Sequence, residues 1–125
     1  MKTLRLNQEE AIELLFTILE EPNQSIGICS SRLDMSKDIL NNMRSKLKKE
    51  SLLVNNKKTI KLNNGSQIIV QAINYNAFRG RSMNCVYVDN YDQISSKYIQ
   101  ELEDCLLPCM ETYSHERNTI YIKGK

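Results

Sequence analysis

Apolar residues recur along this chain in two periods, and the switches between them mark alternating helices and strands. Between Asn7 and Glu21, the residues Ala11, Leu14, Leu15, Ile18 and Leu19 fall at helical spacing. Asn7 stands ahead of the run as a capping residue, Glu9 and Glu10 suit the positive end of the helix, and Pro22 stops it. A second helix opens at Asp34 or Ser36 and runs to about Glu50, with Ile39, Leu40, Met43 and Leu47 inward. Its outer face carries Lys37, Arg44, Lys46, Lys48 and Lys49. A third is capped by Ser95 or Ser96 and continues to about Leu107, where Pro108 interrupts or kinks it.

The strands read differently. Ser25–Ser30 (SIGICS), Cys85–Val88 (CVYV) and Thr119–Ile122 are short, nearly continuous apolar runs, the pattern of parallel strands buried on both faces. Leu52–Asn56 leads into a hairpin of Lys58–Asn63 and Ser66–Ala72, in which apolar and polar positions alternate. The hairpin turns through Asn63-Asn64-Gly65, whose Asn-Gly pair supplies the positive φ angles of a tight turn. A loop from Asn74 to Asn84 contains Phe78-Arg79-Gly80-Arg81. The alternation predicts an α/β fold: a mostly parallel sheet flanked by helices, with a β-hairpin insertion. Ligands of such sheets bind beyond the carboxyl ends of the strands, where Ser30, Asp89 and Lys123 fall.

Composition narrows the function classes. At 125 residues, 41% hydrophobic and 26% charged, the chain is expected to form one globular domain spanning 1–125. No apolar run approaches the roughly 18 residues that span a bilayer. The polar, basic stretch Met1 to Gln8 is not a secretory signal. A net charge of +2 does not by itself predict a nucleic-acid partner; a local patch would have to. Cys29 and Cys85 lie in buried-strand runs, and Cys105 and Cys109 share a helix face. With His115 the only histidine, the pattern reads as free thiols rather than a zinc site, and no Ser-His-Asp or Cys-His arrangement is available.

One residue carries candidate chemistry. Asp89 ends the apolar run Cys85-Val86-Tyr87-Val88, and a carboxylate held rigidly at a sheet edge can bind a magnesium ion bridging nucleotide phosphates. The same aspartate could simply cap the next turn. Its neighbours bear on the choice. The stretch IKLNNGSQIIVQAINYNAFRGRSMNCVYVDN holds a hairpin with Asn-Gly-Ser, an Arg-Gly-x-Ser loop, an apolar strand and Asp89. In this order it resembles the large terminase subunits, the motors that pump DNA into phage heads. NQSIGICSSRLDMSKDILNNMRSKL and NTIYIKGK extend the resemblance over nearly the whole chain.

The resemblance implies a P-loop NTPase/terminase-like fold with Asp89 as the magnesium-binding aspartate and Arg79 as the arginine of the Arg-Gly element. It also exposes departures. The family's phosphate loop, glycine-rich and ending Gly-Lys-Ser/Thr, belongs just before the first helix. Here Lys2 and Thr3 stand as the candidate remnant of its Lys-Thr end, although an ordinary Met-Lys-Thr start fits equally well. Asn90 occupies the place of the catalytic glutamate, and Asp92 is the nearest substitute. Lys123-Gly124-Lys125 replaces the family's approach to its coupling motif, and the nuclease domain is missing. Losing phosphate positioning and losing the water-activating group each removes a large share of the rate, so the two together favour a non-catalytic domain.

The expectation is therefore a small phage-encoded domain with no catalytic residue of its own, bound to Mg-ATP only if another chain completes the site. Arg79 and Arg81 flank Gly80, with Tyr75 and Phe78 nearby, and suit phosphate and base contacts; a solvated loop is the plainer reading. The expected partner is nucleic acid, a packaging component or a host protein, in the host-cell cytoplasm and without a membrane. A missing phosphate-loop strand would leave a sheet edge open to homodimerisation. The alternative is one fragment of a split terminase ATPase.

Overall fold

The computed structural model describes residues 1–73, 78, 81–113 and 118–125. The strands β1 (Lys2–Leu6), β2 (Ser25–Ser30), β3 (Leu52–Asn55), β4 (Thr59–Leu62), β5 (Gln67–Ala72), β6 (Cys85–Val88) and β7 (Ile120–Gly124) form one sheet. Its order is β1-β7-β6-β2-β5-β4-β3. Every pairing from β1 across to β5 is parallel, and only β3, β4 and β5 run antiparallel to one another in turn. Ile28 sits opposite Tyr87 in the parallel pair β2–β6, as the two apolar runs require.

Helices α1 (Gln8–Leu19) and α2 (Leu33–Ser45) cover one face; α3 (Ser96–Tyr113) covers the other. The first core joins Leu15, Leu19, Leu40 and Met43 to Ile26, Ile28, Tyr87 and Ile122. The second joins Leu102, Leu106 and Met110 to Cys29, Val86, Val88 and Tyr121. Strands β2 and β6 are buried at every position, because each alternate side chain meets a helix layer. Burial pushes the Cys29 and Cys85 thiols above their ordinary range, so both behave as small apolar groups. Gly27 has a specific reason to lack a side chain: a Cβ there would lie 2.8 Å from Cζ of Phe78, whose ring covers β2.

Several boundaries differ from the sequence reading. The edge strand β1 has no counterpart in it. Its KTLRL sequence holds only two inward, half-buried leucines, too short a run to stand out. Helix α2 starts after Arg32 with no side-chain cap and stops at Ser45. Asp34 lies in its first turn, and Ser36 is drawn inside instead, its hydroxyl donating to the Gln71 carbonyl at 3.0 Å and meeting the Ser30 hydroxyl at 2.6 Å. Residues Lys49–Ser51 form a separate 3-10 turn. Helix α3 continues past Pro108 to Tyr113.

The Asn-Gly turn is also tighter in its demands than expected. Only Gly65 takes a positive φ, +88°, while the Asn64 side chain donates to the Leu19 carbonyl at 2.8 Å and closes the end of α1. The Ser66 hydroxyl adds a bond to the Glu21 carbonyl at 2.6 Å. Asn-Gly-Ser therefore satisfies orphan carbonyls of a neighbouring helix as well as reversing the chain.

Candidate functional site

Parallel pairing brings the carboxyl ends of β6, β7, β2 and β1 to one side of the molecule. Val88 pairs with Lys123, Arg5 with Lys123, and Cys29 with Val88. Asp89 leaves β6 at this rim, 5% exposed, its N–H donating to the Cys29 carbonyl at 2.9 Å. A cleft of about 360 Å³ opens beside it, lined by Gln8, Met35, Asp38, Ile39, Asn42, Asp89 and Asn90. Gly124 lets β7 close in: a Cβ there would lie 2.8 Å from the Val88 carbonyl and 3.2 Å from Asp89 Cα.

The Asp89 carboxylate is already committed to the protein. Oδ1 accepts from the Tyr87 hydroxyl at 2.6 Å and from Gln8 Nε2 at 3.4 Å; Oδ2 accepts from Asn90 Nδ2 at 3.3 Å. Burial, then the bond to Asp89, pushes the Tyr87 phenol well above its ordinary range, so it stays a hydrogen-bond donor. The sequence reading does not single out Tyr87, yet the residue was legible in principle: it lies two residues before Asp89 on a strand, hence on the same face.

The junction ahead of α1 decides what the site can hold. Strand β1 ends at Leu6 and α1 begins at Gln8, so Asn7 alone connects them. A phosphate loop needs about eight residues at this kind of junction, with free N–H groups at the helix start. Here Asn7 Oδ1 accepts from the Glu10 N–H at 2.8 Å, and Glu10 Oε1 accepts from the Asn7 N–H at 3.2 Å, a complete capping box. Glu9 and Glu10 place negative charge where triphosphate would need positive potential.

These positions correct two expectations. The strand before α1 is present, as β1, so the phosphate-loop strand is not missing; the loop is. Lys2 and Thr3 are strand residues at the amino end of β1, paired with Ile120 and Tyr121. Cys85 also pairs with Ile120, so Lys2 is level with the start of β6. Asp89 is four strand steps further on, roughly 13 Å away along the sheet. Lys2 and Thr3 are therefore not brought to Asp89.

The other candidates divide. Asn90 adopts the left-handed conformation, φ 50° and ψ 44°, and starts the turn Tyr91–Gln93. Asparagine tolerates that conformation far better than glutamate, which gives Asn90 a backbone reason. Asp92 is ion-paired with Arg5 at the exposed surface. The Lys123 ammonium lies 4.9 Å from the Tyr91 ring centroid and 5.9 Å from that of Tyr121. Both of those tyrosine hydroxyls donate to Glu103, at 3.1 and 2.8 Å, tying the rim to α3. Arg81 is exposed in the stretch leading into β6, its N–H donating to the Phe78 carbonyl at 3.1 Å. Arg79, Tyr75 and His115 lie outside the described residues.

The residues present supply at most part of a magnesium site. Two carboxylates line the cleft, Asp38 from α2 and Asp89 at the end of β6, and Asp89 already accepts from three donors. Among the described residues no group of three or more His, Cys, Asp or Glu side chains converges. Magnesium is usually held through one or two carboxylates plus substrate phosphates, and the phosphate cradle is absent from the β1–α1 junction.

Neither a protein-family model nor a curated protein matches the sequence. Solved structures do. The large terminase ATPase domain of Thermus phage P74-26 matches with a TM-score of 0.65 and 14% identity, over 98% of this chain and 59% of that one. An arginine-to-alanine mutant of that domain matches with a TM-score of 0.61 at the same identity and coverage. The large terminase of a second, thermophilic bacteriophage matches with a TM-score of 0.66 and 6% identity, over 98% of this chain and 33% of that one. The chain thus spans about three fifths of the first two and one third of the last. No helix among the described residues is long and apolar enough to cross a membrane. Over nearly its whole length this chain has the fold of a phage large terminase ATPase domain.

Proposed function

We propose that this chain is a small phage-encoded, terminase-like domain that does not hydrolyse ATP and acts by binding a partner in the host-cell cytoplasm. The observation that carries the proposal is the β1–α1 junction. A single capping residue stands where a phosphate loop would be, with two glutamates in the first helical turn. With Asn7 alone between β1 and α1, the junction has no residues from which this chain could itself form the loop. The state of Asp89 supports the same reading, since its carboxylate stabilises the rim of the sheet through Tyr87, Gln8 and Asn90.

The partner is a packaging component, a host protein or nucleic acid. Arg81 and Arg79 are the loop candidates for nucleic acid. The two outer strands, β1 and β3, have one free edge each, and edge pairing is a route to another chain. Homodimerisation of this chain belongs with the β1 edge, for a reason of charge developed below.

Isothermal titration with ATP, with and without magnesium, tests the non-catalytic half. The expected result is no magnesium-dependent binding, and no difference between the native chain and Asp89→Ala. Tight binding that requires magnesium and is lost in Asp89→Ala would instead make the chain part of a split ATPase.

A further inference from the structure

The β3 edge combines three features that no other surface among the described residues shares. First, among the described residues β3 pairs only with β4, with a register shift between Leu52 and Val54, so one side of its backbone is open. Second, Leu53 and Val54 stand together on it, 63% and 37% exposed. Third, lysines surround it. Lys48 and Lys49 precede it, Lys57 and Lys58 form the turn that follows, and Lys61 on β4 pairs with Val54. All five are exposed and none has an ion-pair partner among the described residues. Glu50 is the one acidic residue between positions 48 and 61.

The turn that presents Lys57 and Lys58 is held firmly. Asn56 Oδ1 accepts the N–H groups of Lys58 at 3.0 Å and Thr59 at 2.9 Å. From α2, the Arg44 guanidinium donates to Asn55 Oδ1 at 2.6 Å and to the Asn56 carbonyl. The edge is therefore ordered before any partner arrives, which lowers the entropy cost of docking.

We infer that the free edge of β3 docks an extended, acidic segment of a partner protein, added to the sheet as a further strand. This names a partner class for the binding role proposed above and presupposes it. Main-chain bonding to the open edge would supply affinity, apolar residues of the segment would cover Leu53 and Val54, and its carboxylates would meet the lysines. A second copy of this chain is disfavoured here, because pairing β3 with itself sets the same lysines against one another. Nucleic acid would satisfy the lysines but leave the two aliphatic side chains and the backbone edge unused.

The probe is a fluorescein-labelled peptide of alternating glutamate and valine, titrated with the whole chain at low salt and followed by anisotropy. Comparison probes are the same peptide with prolines at alternate positions, a single-stranded oligodeoxynucleotide, and vesicles containing phosphatidylserine. The Glu-Val peptide should bind and weaken with salt. It should weaken about tenfold or more for the double variant Lys57→Glu, Lys58→Glu, and the proline peptide should not bind. Leu53→Asp, with its fold checked by circular dichroism, should weaken the peptide as well. Equal binding of the proline peptide, tighter binding of the oligonucleotide or vesicles, or no peptide binding would each overturn the inference. The ATP titration is independent of all these outcomes, so failure here and failure of the non-catalytic reading are separable.

Discussion

At the scale of single residues, steric and backbone requirements shape the rim around Asp89. Gly124 admits no side chain, since its Cβ position is 2.8 Å from the Val88 carbonyl and 2.9 Å from the Asn90 nitrogen. Backbone cannot rotate aside as a side chain can. Gly124→Ala should therefore destabilise the fold by about 1–3 kcal/mol, read as a lower urea midpoint; an unchanged midpoint would mean that β7 is free to shift. Asn90 illustrates a related point. Its left-handed backbone suits asparagine and would oppose a glutamate there.

At the scale of elements, the first helix shows how one junction can replace another. In a phosphate-binding site the helix N-terminus points its free N–H groups at a ligand. Here the chain's own Asn7 and Glu10 take that place. Asn7→Ala should cost about 1 kcal/mol of stability by equilibrium unfolding. It should not create nucleotide binding, because Glu9 and Glu10 remain. The other end of α1 is closed by the Asn64 amide from the β4–β5 turn, so both ends of the helix are anchored by asparagine side chains. A short helix gains little from propensity alone, and such caps together with its buried face hold it in place.

At the scale of the whole molecule, the sheet is gripped by two cores, and buried tyrosines link them to the polar rim. Burial first, and then the Glu103 carboxylate, raises the Tyr91 phenol from its ordinary 10.0 to about 12. Tyr87 and Tyr121 are raised further, again mainly by burial. A raised phenol keeps its proton in the folded state longer than in the unfolded one. The corresponding stability is complete below pH 10 and is lost as pH climbs towards 12, because there the unfolded chain binds fewer protons. Urea midpoints measured from neutral pH upwards should stay level and then fall across that window, and Tyr91→Phe should make the fall shallower. Identical profiles for the two proteins would show that Tyr91 does not contribute.

How much of this is legible in the sequence alone follows from the range of the interactions involved. Local and periodic features can be read directly: SIGICS and CVYV as buried parallel strands, Asn7 as a cap, the Asn-Gly-Ser reversal, and Asp89 at a strand end. Each depends on neighbours within a few residues or on a repeating pattern, so the sequence carries it. The β1 strand is not legible, because KTLRL becomes a strand only by pairing with β7, whose first residue is 118 positions later in register. The fate of Lys2 and Thr3 is settled by that same pairing. The engagement of Asp89 by Gln8, and the gathering of separated lysines around an open edge, likewise depend on segments that meet only when the sheet assembles. Sequence determined the periodic elements and the chemistry they carry, while tertiary structure decided the edge strand β1 and which side chains share a site, because contacts between distant segments leave no local periodic trace.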